Sequence, residues 1–187
     1  MKNLIIAITG ASGAIYGIKI LELLKDLDDV ETSLIISKTA NITITHETDY
    51  TIKDVQNLAN YNYNINDLAA CISSGSYKVD GMLITPCSVK TMAQIATGNT
   101  DNLISRAADV ILKERKKLLI LLRETPLHTG HIQNMLSLSM MGGIIAPPVP
   151  AFYNKPESID DIVHHTISRA LDLFDIYSNS VKRWNGL

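Results

Sequence analysis

The chain has 187 residues, 46% of them hydrophobic, and a formal net charge of −2; this describes a single domain, 1–187, able to bury its own core. So neutral a balance gives no basic field for nucleic acid, and two widely separated cysteines, Cys71 and Cys87, exclude a disulfide scaffold and any zinc-type spacing. The apolar opening Leu4 to Ile8 is too short for a leader or a membrane span, so a cytoplasmic protein with no membrane partner is expected.

Residues 2–9 read as a buried strand, followed by Gly10-Ala11-Ser12-Gly13-Ala14 and the amphipathic stretch Ile15 to Leu27. A strand, a glycine turn and a helix form the frame of a nucleotide or flavin phosphate site, in which helix N-terminal amides face an anion. The spacing is not the full GxGxxG, and a plain tight turn fits equally well. The second strand covers Glu31 to Ser37, and the Ser37 hydroxyl either meets a ligand or caps a helix starting near Thr39. Residues 47–70 are polar and poorly periodic, which suggests an irregular excursion with a short helix over Ile52 to Leu58.

A polar loop, Ser73 to Tyr77, precedes a strand over Gly81 to Thr85 that Pro86 is expected to end. Ser88 then caps a helix from Val89 to Thr97, near whose start Lys90 places positive charge. Cys87 carries no sign of a thiolate and reads as an inert buried residue. On the next helix, Asn102 to Arg115, the residues Arg106, Asp109 and Lys113 share one face. That face is either a solvated ion-pair lattice or a grip for a doubly charged phosphate.

Lys117 to Leu122 is a short apolar run and reads as a buried parallel strand. Arg123 and Glu124 follow it directly, at the carboxyl end where ligands of open α/β sheets lie, and pair anion recognition with acid/base capacity. In the helix His128 to Met140, His128, His131 and Asn134 recur every three residues, but neither HExxH nor an added carboxylate is present, so capping or structural hydrogen bonding is expected and no metal. Gly142 to Ala146 is a last short strand, and Pro147, Pro148 and Pro150 stiffen the loop that presents Phe152 and Tyr153. Ser158 and Asp161 form a capping box for a helix over Ile159 to Tyr177, on which Arg169 faces ligand or solvent. Trp184 is a packing anchor or the wall of a site. Strands alternate with helices throughout, which makes the fold class α/β: a three-layer sandwich with a mostly parallel sheet.

Several of these segments, in this order, resemble the signature of the flavin prenyltransferase family, the UbiX-like proteins. They are Gly10-Ala11-Ser12-Gly13-Ala14, Pro86-Cys87-Ser88-Val89-Lys90-Thr91, Ser105-Arg106-Ala107-Ala108-Asp109, Leu112-Lys113-Glu114-Arg115, Arg123-Glu124-Thr125-Pro126-Leu127-His128 and Pro147-Pro148-Val149-Pro150-Ala151-Phe152-Tyr153. The resemblance implies a Rossmann-type, flavodoxin-like fold and the synthesis of prenylated FMN, cofactor of the UbiD-like decarboxylases, in quinone synthesis or aromatic acid breakdown. The donor is dimethylallyl monophosphate and the acceptor is reduced FMN, alkylated first at N5 and then at C6 without a metal. By resemblance, Gly10, Ala11, Ser12, Ser37, Ser88, Val89, Lys90, Thr91 and Arg123 bind FMN. Lys113, Tyr153 and Arg169 hold the donor's phosphate with Arg106 nearby, and Glu124 assists proton transfer. Tyr77, often tryptophan in the family, and Trp184 match aromatic positions near the prenyl group. The family forms homododecamers with sites at subunit junctions. The alternatives are an FMN-dependent cysteine-type decarboxylase, which would use an early histidine such as His46, and a non-catalytic flavin carrier subunit.

Overall fold

The computed structural model describes residues 1–177, so Trp184 lies outside the described residues. Six strands form one sheet: β1 (Lys2–Ile8), β2 (Val30–Ile36), β3 (Tyr61–Tyr63), β4 (Gly81–Cys87), β5 (Lys117–Leu122) and β6 (Ile144–Ile145). Their spatial order is β3-β2-β1-β4-β5-β6, and every pairing is parallel. Parallel neighbours need crossovers, which are supplied by the helices α1 (Ala14–Lys25), α2 (Lys38–Glu47), α3 (Ile52–Gln56), α4 (Val89–Ala96), α5 (Leu103–Lys113), α6 (Thr129–Met140) and α7 (Ile159–Asp172).

The pleat of β1 divides the interior in two. Leu4, Ile6 and Ile8 point into a core shared with α1, α2, α3 and α7, while Ile5 and Ala7 point into a core shared with α4, α5 and α6. Burial on both faces is why β1 and β5 read as unbroken apolar runs rather than alternating ones. Removing most of such a side chain, as in Ile6→Ala, costs about 2 to 5 kcal/mol. Gly17 lets α1 lie against the sheet, since a Cβ there would stand 2.4 Å from the Thr85 carbonyl oxygen and 2.9 Å from Ile8.

Helix starts follow their side-chain caps. The Ser37, Ser88 and Asn102 oxygens accept N–H groups of α2, α4 and α5, and Ser158 with Asp161 closes a reciprocal capping box on α7. Each such cap contributes about 1 kcal/mol. Beyond shifts of one or two residues at several element ends, three features differ from the sequence expectation. β4 continues through Pro86 to Cys87, and its register with β5 slips between Ile84 and Cys87, where the proline has no N–H to give the ladder. α7 stops at Asp172 rather than Tyr177, because Leu171 accepts from Phe174 N–H at 2.8 Å and Asp175 turns the chain with φ of 58°. Finally, β3 is a short edge strand within a stretch expected to be irregular; its tyrosines and asparagine sit on a largely exposed edge, so no buried face left a pattern to read.

Candidate active site

The sheet order reverses direction between β1 and β4, and the loops leaving their carboxyl ends part there to open a crevice. A cavity of about 450 Å³ occupies it, lined by Thr9, Gly10, Ser37, Ser88, Lys90 and Thr91, and on its outer side by Lys38, Asn66, Gln94 and the Asp101 carboxylate, among others. That volume is typical of a small-molecule site, for which about 300 to 1,000 Å³ is usual. The crevice is fastened from below. Thr9, 1% exposed, donates its hydroxyl to the Pro86 carbonyl at 2.7 Å and accepts the Ser88 N–H at 2.8 Å, while Ser37 N–H reaches the Ile8 carbonyl at 3.0 Å. Gly10 allows the loop after β1 to pass against α2, because a Cβ there would come within 2.5 Å of the Thr39 side chain. Sequence reasoning placed Gly10, Ser37, Ser88, Lys90 and Thr91 in this site and missed Thr9, whose role depends on a partner 77 residues away.

The lining fits a flavin phosphate and ring. Ser37 and Ser88 head α2 and α4, so hydroxyls, helix-end amides and the ammonium groups of Lys38 and Lys90 converge from several strands. Val89 opens α4 beside them. At the N-terminus of α1, which the sequence left open between an anion site and a plain tight turn, two backbone amides already have a carboxylate partner. The Glu47 carboxylate, reaching back from the end of α2, accepts the Gly13 N–H at 2.8 Å and the Ala14 N–H at 3.3 Å. Burial pushes the Glu47 carboxyl up, but these N–H groups, the Ser12 hydroxyl and the charge of Arg123 outweigh it and hold the group below its ordinary value. No local motif announces this, as Glu47 lies at the far end of another helix.

Arg123 donates its backbone N–H to the Cys87 carbonyl at 3.1 Å, which sets it beside the β4 exit. Glu124, half-buried, accepts the Thr125 N–H at 3.0 Å. Burial drives the Cys87 thiol far upward, consistent with an inert side chain. His128 caps α6 by accepting the Gly130 N–H at 3.0 Å and stacks on His131, centroids 3.6 Å apart, as expected of structural histidines. Among the described residues no group of three or more His, Cys, Asp or Glu stands close enough to hold a metal ion.

The cations expected to grip one phosphate stand on elements of two different layers of the chain. Arg106 and Lys113 lie on α5, in the layer that packs on the Ile5 side of the sheet. Arg106 donates to the Ser73 carbonyl at 3.2 Å and pairs with Asp109 at 3.2 Å, while Lys113 pairs with Glu114 beside Gly75. Tyr77, at the end of the same loop, is half-buried against that core. Tyr153 and Arg169 belong to the opposite layer. Tyr153 hydrogen-bonds His165 on α7 at 2.8 Å, and Arg169, one turn further on, pairs with Asp172 at 2.7 Å. His165 had no signal in the sequence. A smaller cavity of about 250 Å³ opens here, lined by Leu121, Ala146, Pro147, Val149, His165 and Arg169.

A switch-point cavity rimmed by hydroxyls and amides, on a parallel sheet, defines a flavoprotein of the doubly wound type. The family model described as Flavoprotein matches residues 1–171. A probable UbiX-like flavin prenyltransferase of Bacillus subtilis (strain 168) is 54% identical over 185 residues, covering 99% of this chain and 90% of that protein. The crystal structure of AnUbiX in complex with FMN and dimethylallyl pyrophosphate superposes with a TM-score of 0.98 at 51% identity, over 100% of this chain and 98% of that one. A dodecameric FMN-dependent UbiX-like decarboxylase from Escherichia coli O157:H7 gives a TM-score of 0.97 at 50% identity, over 98% of this chain and 100% of that one. The chain belongs to the Flavoprotein family and, within it, to the UbiX-like flavin prenyltransferases.

Proposed function

We propose that this chain, working as a single domain over 1–187, is a flavin prenyltransferase that moves a dimethylallyl group from dimethylallyl monophosphate to N5 and then C6 of reduced FMN. The observation that carries this reading is the separation of two kinds of recognition. A hydroxyl-rich and amide-rich cavity at the switch point suits a flavin, and cationic groups outside it, Arg106, Lys113 and Arg169, suit a second, phosphate-bearing substrate. Gly10, Ala11, Ser12, Ser37, Ser88, Val89, Lys90, Thr91 and Arg123 hold the FMN, which supplies the nucleophilic nitrogen and ring carbon.

The remaining residues stabilise a departing phosphate and move protons. When the allylic C–O bond breaks, its electron pair leaves with the phosphate, and Lys113, Arg169 and the Tyr153 hydroxyl neutralise the charge that develops. The resting partner Glu114 does not bar Lys113 from this role, since an exposed ion pair contributes only about 0 to 1 kcal/mol, and Arg169, itself exposed, is held in place by the largely buried Asp172 carboxylate. The faces of Tyr77 and Trp184 shield the allyl cation, each at about 0.5 to 2 kcal/mol. Glu124 accepts the proton that C6 gives up.

Because Lys113 and Arg169 stand in opposite layers of one chain, they reach one phosphate only when α5 of one subunit meets α7 of another, as sites at the junctions of a homododecamer would arrange. The product serves a UbiD-like decarboxylase, and the protein works in the cytoplasm; among the described residues no helix is long and apolar enough to cross a membrane. The test is anaerobic incubation of the purified protein with reduced FMN and dimethylallyl monophosphate, followed by mass spectrometry of the flavin. A flavin heavier by one prenyl group supports the assignment, and an unaltered flavin overturns it.

A further inference from the structure

We propose that His165 is a positioning residue for the prenyl donor: from α7 it fixes the Tyr153 hydroxyl, so that phenol and Arg169 guanidinium present to one anion. The inference rests on the proposed function, specifically on Tyr153 holding the donor's phosphate.

Tyr153 sits in an extended proline-rich loop and is 47% exposed, so its ring packs little against the core and needs an anchor. His165 is that anchor. It is 8% exposed on a helix whose neighbouring positions Val163 and Ile167 are buried at 4% and 0%, so its own ring is held by packing. Its Nε2 stands 2.8 Å from Tyr153 Oη, and the two rings meet edge to face at 5.5 Å and 81°. Arg169 follows one turn later on the same face of α7, and both side chains line the cavity of about 250 Å³ against Ala146 and Pro147.

Burial, followed by the charge of Arg169, lowers the His165 pKa against the smaller opposing effect of Asp172, which favours the neutral imidazole. The Nε2–Oη hydrogen bond fixes the phenol oxygen in either neutral tautomer, and in the one with its proton on Nε2 the ring donates to Tyr153 Oη and leaves the phenol proton for an anion's oxygen. A phenol so oriented is a donor to a phosphate oxygen before substrate arrives. The electrostatic contribution of such a group to transition-state stabilisation is greatest when no reorganisation is needed at the moment of reaction.

The experiment compares His165→Leu, His165→Asn, His165→Gln and Tyr153→Phe, alone and with each His165 variant combined with Tyr153→Phe, in steady-state transfer from dimethylallyl monophosphate to reduced FMN. His165→Leu and His165→Asn, whose shorter amide stops short of Tyr153, are expected to raise KM for the donor about tenfold, the size of one lost hydrogen bond to a charged group's partner. His165→Gln, which keeps an N–H at comparable reach, restores most of it, and flavin affinity stays unchanged in all of them. In the Tyr153→Phe background the His165 changes are expected to add little, because they act through the missing hydroxyl. If Tyr153→Phe itself leaves the donor's KM unaltered, the role assigned to Tyr153 under the proposed function fails. If Tyr153→Phe raises it and both His165→Leu and His165→Asn do not, or their effects simply add to it, the positioning role fails while the transferase assignment stands. Should His165→Leu not fold, His165→Asn against His165→Gln decides the matter alone.

Discussion

On the proposed function Lys113 and Glu124 do different work, and their substitutions separate it. Lys113 stands exposed at the last turn of α5, paired with Glu114 beside Gly75 and outside the lining of the flavin cavity, so its removal leaves that cavity intact and takes one positive charge from the proposed phosphate site. Lys113→Ala is expected to raise KM for dimethylallyl phosphate about tenfold or more with FMN affinity unchanged, as measured by donor titration of turnover and by flavin fluorescence. Glu124 carries a carboxylate held by its neighbouring amide. As a base it contributes about 10²- to 10⁴-fold, so Glu124→Gln is expected to slow formation of the ring-closed product by that order while FMN still binds; single-turnover assays that resolve the N5 adduct from the final flavin check this.

The helices act through their ends. Ser37 and Ser88 spend their side chains capping α2 and α4, and the same placement brings both hydroxyls to the cavity rim; capping and ligand binding are one geometry seen from two sides. At α1 the anion is built in. Because hydrogen bonds from the α1 amides and the Ser12 hydroxyl hold the Glu47 pKa below that of a free carboxyl, the charge stabilises the fold fully above about pH 4.3, the ordinary glutamate value. That contribution is lost as pH falls through the lower folded value. Glu47→Ala is therefore expected to cost about 1 kcal/mol at neutral pH, and its deficit against the native chain is expected to shrink as thermal unfolding is followed into acid. A deficit that stayed constant across that range would point to packing rather than charge.

At the scale of the molecule, the residues proposed for the phosphate stand in two layers of one chain. α6 displays Ile132, Leu136 and Met140 at 55%, 60% and 81% exposure, spaced by four on a single face, an apolar stripe left open among the described residues. On the proposed function a second copy is the occupant this stripe suits, since Lys113 and Arg169 stand in opposite layers of one chain. Leu136→Asp is expected to yield smaller assemblies by sedimentation that have lost prenyl transfer while each subunit keeps its fold by circular dichroism. Retention of full activity in a dissociated subunit would place the whole site within one chain.

Much of this was legible in residue order. Buried parallel strands announce themselves as apolar runs because both faces are covered, so β1, β2, β4 and β5 and the crossovers between them could be read directly, and the segments around Gly10, Ser88, Arg123 and Tyr153 carried the family resemblance. What the order of residues could not convey was distance between chemically ordinary groups. Thr9 closing on Pro86, Glu47 occupying the amides of α1 and His165 holding Tyr153 each pair residues far apart in the chain, or on unrelated elements, whose types are unremarkable where they stand. Local pattern registers only what recurs with the period of a helix or strand, whereas these contacts arise after the sheet has been ordered and its loops brought together. The same is true of the residues that the resemblance assigns to a phosphate: Arg106, Lys113, Tyr153 and Arg169 were named as a set by that resemblance, but only the packed sheet places them in opposite layers, because successive crossovers cover its two faces.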